Sequence, residues 1–308
     1  MAQFLDYDVK LDTSIYRGDE KKPAVVFIHG MGMDKNIWIA PTESRILGGK
    51  FPLSVLLNKS LLERLSGNLQ TSFEDLKVRG YPVITWSHRR PTGLINSVVN
   101  ELLEILKIAK SLTKNGIILI GHSRGGLVGR KYLMRQDKLI KGIITISTPH
   151  KGSSIAKVAK YTTALVKIIN PFIPPGEKGT IRFAIKKIFE FLQSRALREL
   201  LPESKIFKSL NYSQLNGIYY MSIGGTNPTL FCINNLLFPD IFEKIIPESL
   251  YPDEMKKGIG DGLVTAESSI IPGTREHHNF ELNHAEILFD EEVRKLVVEA
   301  IMNIEKAM

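Results

Sequence analysis

The sequence predicts an α/β fold, a mostly parallel sheet with helices on its faces. Apolar runs of strand length recur along the chain, for example at residues 24–28 and 117–121. Segments with apolar residues at spacings of three and four lie between these runs, as in surface helices. Strands that read as continuous apolar runs are typical of sheets buried on both faces. With 308 residues, 43% of them hydrophobic, the chain is able to bury a full core.

The predicted elements follow one another in a regular order. Strands are expected at residues 24–28, 82–86, 117–121, 142–147, 218–223 and 280–282. Helices are expected at residues 95–109, 124–134 and 290–304, and Asn115-Gly116 ends the first of them. The alternation of strands and helices implies that consecutive strands lie parallel in one sheet.

This order breaks after residue 153. Residues 154–215 contain helical periods separated by a proline-rich stretch at 171–175, and they contain no convincing strand. A second apolar insertion covers about residues 228–257. We therefore predict a core formed by residues 1–153 and 216–308, with residues 154–215 as an inserted helical cap.

The positive charge of the chain is concentrated in the predicted cap. The whole chain carries +9, and residues 151–215 contain twelve Lys and Arg against four Glu, a net +8. Such a segment favours an anionic surface such as acidic phospholipid, or it is simply a solvated basic face. Nucleic acid is not expected as a partner, because no basic groove interleaved with aromatic residues and no known binding motif is present.

The N-terminal sequence does not indicate export, and the cysteine content does not indicate a cysteine-based metal centre. Charges at Asp6, Asp8, Lys10 and Asp12 interrupt the start, so no signal-peptide core is predicted, and no run approaches a membrane span. The expectation is a soluble cytoplasmic protein, although a removed leader would leave no trace. Cys232 is the single cysteine, which excludes an internal disulfide and a multi-cysteine zinc site.

The pentapeptide Gly121-His122-Ser123-Arg124-Gly125 stands between a predicted strand and a predicted helix. It matches G-x-S-x-G, the turn that lifts a nucleophilic serine above a sheet. Gly121 and Gly125 leave room where a side chain would collide with the neighbouring strand or helix. The flanking strand and helix favour Ser123 as a nucleophile over a serine in an ordinary glycine turn.

A serine nucleophile needs a histidine to accept its proton and a carboxylate to orient that histidine. In proteins with this turn at the end of a strand, the acid and then the histidine come after the serine in the sequence. Only His277, His278 and His284 lie late enough in the chain to follow such an acid. His284 follows the last predicted strand, whereas His277 and His278 precede it and would lie at the wrong end of the sheet. His284 is therefore the predicted base.

The predicted acid is Asp261, which lies on a glycine-flanked turn in the sequence GDGLV. Asp253 and Asp240 are competing carboxylates. Chain order and the flanking glycines favour Asp261, although turn aspartates are common in proteins.

The negative oxygen that develops during attack needs preorganised backbone N–H donors. One comes from the residue after the nucleophile, Arg124, and the other from the loop after an early strand, where Met31 lies in HGMG. Only the backbone amides act in this role, so side-chain identity is expected to matter little at either position.

Taken together, HGMG, GHSRGG, ISTPHKGS, GDGLV and NHAEIL, in this order, resemble the α/β-hydrolase lipases. The closest branch is the bacterial triacylglycerol lipases and their relatives, which include GPI-inositol deacylase-like proteins. The resemblance implies an α/β-hydrolase fold with a cap, and the roles given above for Ser123, Asp261, His284, Met31 and Arg124. It also places residues 148–153 beside an acyl pocket, with His150 structural rather than catalytic.

The resemblance implies no cofactor and no metal ion. Some of these lipases carry calcium near the histidine loop, but only scattered acids such as Asp253 and Glu286 are found here, so calcium is not expected.

The expected function is a serine carboxylic-ester hydrolase, a lipase that cleaves medium-chain or long-chain acyl esters. Its partner is a small acyl ester or lipid, with peripheral contact to an anionic lipid surface through the basic cap. An esterase, thioesterase, phospholipase or amidase with the same residues is an alternative. A non-catalytic protein that binds an apolar ligand under the cap is another. Oligomeric state does not follow from the sequence.

Overall fold

The computed structural model of the protein describes residues 11–46, 51–52, 69–161, 190–191, 193–210, 217–233, 236–238, 243, 246–274 and 276–308. Within these ranges seven strands form one sheet. They are β1 (Thr13–Tyr16), β2 (Ala24–Ile28), β3 (Val83–Trp86), β4 (Ile117–His122), β5 (Ile140–Ile146), β6 (Tyr219–Gly225) and β7 (His277–Phe280). Their order across the sheet is β1-β3-β2-β4-β5-β6-β7. β1 is antiparallel to β3, and the other pairs are parallel.

The register brings the carboxyl ends of the central strands to one edge of the sheet. Ile28 of β2 lies opposite Gly121 of β4, and His122 lies opposite Ile146 of β5. The loops that follow these strands therefore meet above the middle of the sheet, which is where parallel α/β sheets hold their ligands.

In the part of the chain that the structure describes, four longer helices cover the sheet: α1 (Ser72–Val78), α2 (Ile95–Lys110), α3 (Arg124–Leu133) and α4 (Glu291–Lys306). The Asp290 carboxylate caps α4 by accepting the N–H groups of Glu292 and Val293 at 3.0 and 3.1 Å. Thr71 caps α1 in the same way through the N–H of Glu74.

The buried side chains form two clusters, one on each face of the sheet. Along β2, Val26 and Ile28 point into the cluster with α2 and α3, whereas Val25 and Phe27 point into the cluster with α1 and α4. This alternation is the pleat of a strand that is buried on both sides, and it explains why β2 reads as a continuous apolar run.

The central elements match the predictions and the edges do not. β2 has the predicted bounds, β4 extends one residue further, and β5 begins at Ile140 rather than at residue 142. The last strand was expected at 280–282, but β7 spans His277–Phe280. β7 pairs only with β6 and carries polar residues, so hydrophobicity could not locate it. The antiparallel edge strand β1 was not predicted.

Most of the predicted cap, namely residues 162–189, 192 and 211–215, lies outside the described residues. The described parts form the 3₁₀ turn Ile155–Tyr161 and the short helices Arg195–Arg198 and Lys205–Ser209. Several of their side chains are buried in the cluster that contains α2 and α3, namely Ile155, Val158, Ala196, Leu197, Leu200, Ile206, Phe207 and Leu210. The described parts near both ends of the predicted cap are thus packed into this cluster.

The remaining described elements are short. They are the helix Asn36–Ile39, the 3₁₀ turns Pro41–Glu43, Glu248–Leu250, Asp253–Met255 and Glu286–Leu288, and the hairpins that pair Arg45–Ile46 with Phe51–Pro52 and Phe231–Ile233 with Leu236–Phe238. Among the described residues, none of the helices is both long and apolar enough to span a bilayer.

Candidate active site

Ser123 occupies a strained turn between β4 and α3. Its backbone has φ 53° and ψ −129°, a region that residues other than glycine rarely adopt. Its N–H donates to the carbonyl of Ile146 at 2.8 Å, which fixes the turn to the end of β5. The side chain is 9% exposed, at the carboxyl edge of the sheet.

Three glycines make this turn sterically possible. A Cβ on Gly121 would lie 2.4 Å from Cα of Gly126, and one on Gly125 would lie 2.2 Å from the carbonyl oxygen of Ile28. A Cβ on Gly126 would meet Oγ1 of Thr148 at 2.1 Å. All three contacts are far closer than van der Waals distance, so α3 packs against β2 and the loop after β5 only because these side chains are absent.

The imidazole of His284 is held by Asp261. Nδ1 of His284 lies 2.9 Å from Oδ2 of Asp261, and both side chains are almost fully buried. The other carboxylate oxygen, Oδ1, accepts the N–H groups of Leu263 and Val264 at 3.0 and 2.8 Å. A carboxylate only accepts, so Nδ1 carries the proton and Nε2 is the basic nitrogen.

His122 brings the His284 loop to the serine turn. Its ring lies 4.8 Å from the ring of His284, centroid to centroid, and its Nε2 donates to the carbonyl of His284 at 2.9 Å. Burial keeps the pKa of His122 well below its ordinary value, so the ring is neutral. Sequence reasoning left this residue without a role, because the motif does not specify its second position.

The glycine loop after β2 lies directly against the serine turn. A Cβ on Gly30 would be 3.1 Å from Cβ of Ser123 and 3.1 Å from Nδ1 of His122. Met31 follows within this loop, and its side chain is buried. Arg124 begins α3, and the first N–H groups of a helix have no partner within the helix. The two predicted donors thus belong to segments that meet at Ser123.

His29 fixes the conformation of this loop. Its Nδ1 donates to the carbonyl of Gly30 at 2.8 Å, its Nε2 accepts the N–H of His88 at 3.2 Å, and the two rings stack at 3.6 Å. Burial lowers the pKa of His29 to about 4, so the ring is neutral at physiological pH. These bonds leave His29 no part in proton transfer at the serine.

The competing residues considered from the sequence have other contacts. Asp253 pairs with Lys256 at 2.6 Å. Asp240 lies outside the described residues. His277 and His278 were predicted to precede the last strand, and this prediction is wrong, because both lie within β7. There Nδ1 of His277 is 2.9 Å from Oγ of Ser222.

Glu254, the residue next to Asp253, supports the turn that carries Asp261. The carbonyl of Glu254 accepts the N–H of Gly262 at 2.8 Å, and its carboxylate accepts the N–H of Ser154 at 2.5 Å. Burial raises the pKa of Glu254. The turn that carries Asp261 is thereby connected to Ser154, the first residue of the predicted cap.

Residues 148–153, which are buried except for Lys151, lie beside this turn, and the Ser153 hydroxyl donates to the carbonyl of Leu263 at 2.7 Å. The N–H of His150 donates to the carbonyl of Ser268 at 2.8 Å, and its Nε2 lies 3.1 Å from Oγ1 of Thr145. Arg130 donates to the carbonyl of His150 at 3.2 Å. These are the contacts of a structural residue, in line with the expectation for His150. Among the described residues, no group of three or more His, Cys, Asp or Glu is placed to hold a metal ion.

Comparison with known proteins connects this architecture to hydrolases. Residues 88–188, about a third of the chain, match the model of the PGAP1-like alpha/beta domain. The mature form of the Bacillus licheniformis lipase BlEst2 superposes with a TM-score of 0.54 over 95% of this chain and 97% of its own, at 15% identity. The chain has the α/β-hydrolase fold. This agrees with the resemblance inferred from the motifs.

Two further structures with the α/β-hydrolase fold have TM-scores of 0.50. One comes from a study of carboxylesterases of the thaumarchaeon Nitrososphaera gargenis, at 14% identity and 96% and 95% coverage of the two chains. The other is the putative non-heme bromoperoxidase BpoC of Mycobacterium tuberculosis, at 11% identity and 96% and 97% coverage. A search of curated protein sequences found no match. The α/β-hydrolase fold supports different reactions, so the reaction must be argued from the site.

Proposed function

We propose that the protein is a serine hydrolase of carboxylic esters, with Ser123 as nucleophile, His284 as general base and Asp261 as the acid that orients the base. The observation that carries the proposal is the 2.9 Å hydrogen bond between His284 Nδ1 and Asp261 Oδ2, in a loop held against the Ser123 turn by His122. This bond leaves Nε2 as the basic nitrogen, which is the tautomer that serine attack requires.

In the proposed reaction, Oγ of Ser123 attacks the ester carbonyl while Nε2 of His284 takes the hydroxyl proton. The backbone N–H groups of Met31 and Arg124 stabilise the negative oxygen of the tetrahedral intermediate. The C–O bond to the alcohol then breaks, and His284 returns its proton to the leaving oxygen. Water, deprotonated by Nε2 of His284, then attacks the acyl-enzyme; the acyl C–Oγ bond breaks, His284 returns the proton to Oγ of Ser123, and the carboxylic acid is released.

Within this class we propose a lipase for acyl chains of medium or long length. The support is the inserted segment 154–215, which is apolar at helical spacings and strongly basic, and whose described ends are buried beside α2 and α3. As the predicted helical cap, this segment would cover an acyl chain when closed and would lie on an anionic lipid surface when open. Of the similar structures, BlEst2 is a lipase and another comes from a study of carboxylesterases, which supports an ester as the substrate.

A panel of acyl substrates tests the chain-length proposal. We expect kcat/KM to be at least about tenfold higher for p-nitrophenyl octanoate than for the acetate, because each buried methylene contributes about 0.8 kcal/mol. Octanoyl thioester and dioctanoyl phosphatidylglycerol, assayed beside the ester, separate the alternative acyl substrates. A preference for acetate over octanoate would contradict the lipase proposal, while the hydrolase proposal would stand.

A further inference from the structure

The guanidinium group of Arg124, the residue that follows the proposed nucleophile, is completely buried. Arg124 follows Ser123 as the first residue of α3, and its side chain is 0% exposed. A buried arginine is costly unless its donors are bonded and its charge is balanced. From the sequence, only the backbone amide of this residue has a role, so the placement of its side chain needs its own explanation.

The two Nη groups of Arg124 donate to one loop, whereas its buried Nε has no hydrogen-bond partner among the described residues. Nη1 donates to the carbonyl of Gly93, and Nη2 lies 3.5 Å from the carbonyl of Pro91. The same Pro91 carbonyl accepts the N–H of Gly32 at 2.8 Å. Gly32 is the neighbour of Met31, so the guanidinium is linked through a single carbonyl to the loop that carries the second proposed oxyanion donor.

The negative charges of two carboxylates favour the protonated form of this buried guanidinium. Burial lowers the pKa of Arg124 to about 10, and the negative charges of Glu199 and Glu101 oppose this shift, so the guanidinium stays protonated at neutral pH. Glu199 accepts the N–H of Ile95 at 3.0 Å, and Glu101 accepts the indole N–H of Trp86 at 3.0 Å. Glu199 lies in the predicted cap, so this electrostatic interaction couples the serine turn to that segment.

We propose that the Arg124 side chain is a positioning residue that sets the distance between the two oxyanion donors, the amides of Met31 and Arg124. The proposal rests on the proposed hydrolase function and goes beyond the use of the Arg124 amide. One residue supplies a donor from its backbone and, through Pro91 and Gly93, anchors the loop that supplies the other. The planar fork of arginine reaches two carbonyls in a fixed geometry, and the single ammonium of lysine cannot do the same.

The test measures kcat per active site for Arg124→Lys and Arg124→Met, with active sites counted by fluorophosphonate titration. We expect kcat to fall by about 10- to 100-fold with KM within about threefold, because oxyanion donors act on the transition state more than on bound substrate. Arg294→Met is the matched control, since Arg294 pairs with Asp75 at 2.6 Å between α4 and α1. It is expected to lower the thermal midpoint while leaving kcat per active site unchanged.

A purely structural role for Arg124 would reduce the number of titrating molecules but not the kcat of those that titrate, and that result overturns the proposal. If the Arg124 variants do not fold, Glu199→Gln replaces them, with an expected fall in kcat of about threefold or more. An unchanged kcat in Glu199→Gln would likewise contradict the positioning role of Arg124.

Hydrogen exchange of the peptide that spans residues 29–34 gives a readout independent of catalysis. It is expected to accelerate in Arg124→Met and not in Arg294→Met, because the Gly32–Pro91 bond loses its support. This readout distinguishes a failure of the positioning role of Arg124 from a failure of the proposed hydrolase function. A wild-type protein without esterase activity refutes the proposed function, whereas unchanged exchange in this peptide refutes the positioning role.

Discussion

Replacing Ser123 by alanine is expected to reduce ester hydrolysis to the background of the assay. The change removes the oxygen that forms the acyl-enzyme, and loss of a nucleophilic serine lowers kcat by about 10⁶-fold. The backbone that holds the turn, including the 2.8 Å bond from the Ser123 N–H to Ile146, remains available in the variant. The measurement is the hydrolysis of p-nitrophenyl octanoate by purified variant and wild type.

The matched control is Ser111→Ala, at the end of α2, where the hydroxyl donates to the carbonyl of Ile108 at 2.7 Å. Ser111 lies before the amino end of β4, whereas Ser123 lies after its carboxyl end. The control should retain wild-type turnover, and the thermal midpoint of Ser123→Ala should stay within a few degrees of the wild type, because only one oxygen atom is removed. Turnover by Ser123→Ala that is clearly above background would refute the proposed mechanism.

Replacing Asp261 by asparagine is expected to lower kcat by about 10⁴-fold. The N–H groups of Leu263 and Val264 donate to Oδ1 of Asp261, so in the variant they hold the amide oxygen at that place. The amide nitrogen then faces Nδ1 of His284 and donates to it. Nδ1 becomes the acceptor and Nε2 carries the proton, so the imidazole cannot accept the proton of Ser123. The measurement is kcat at neutral pH.

Asp253→Asn is the informative comparison, because Asp253 competes with Asp261 when only the sequence is considered. Its carboxylate pairs with Lys256, and this variant is expected to keep kcat within about twofold of wild type, since surface ion pairs contribute little. A large loss in Asp253→Asn with little change in Asp261→Asn would show that the wrong carboxylate has been assigned.

The parts of the fold that sequence predicts well are those in which burial alone determines the pattern. β2 and β4 are buried on both faces, so their apolar runs mark their positions closely. β1 and β7 lie at the edges of the sheet and carry exposed or polar residues, and their pairing depends on neighbours that are distant in the chain. The helix α1 was missed for a related reason, since only three of its seven residues are buried.

Some residues of the candidate site could be predicted from the sequence, and others could not. Ser123 stands in a local motif, and chain order selects His284 and favours Asp261, so these residues could be named from the sequence. The roles of His122 and of the Arg124 side chain could not, because both occupy unspecified positions of the motif. Their partners, the carbonyls of His284, Gly93 and Pro91, are backbone groups brought close only by the fold. Backbone acceptors leave no sequence signature.

Labelling with a fluorophosphonate probe tests the central claim most directly. The probe transfers its phosphonyl group to an activated serine, and it requires both the basic nitrogen of His284 and a competent serine turn. Peptide mass analysis of the labelled wild-type protein is expected to find the adduct on Ser123 alone, with no adduct in Ser123→Ala and the wild-type adduct in Ser111→Ala. An unlabelled wild-type protein, or an adduct on a different serine, would contradict the assignment of Ser123 as the nucleophile.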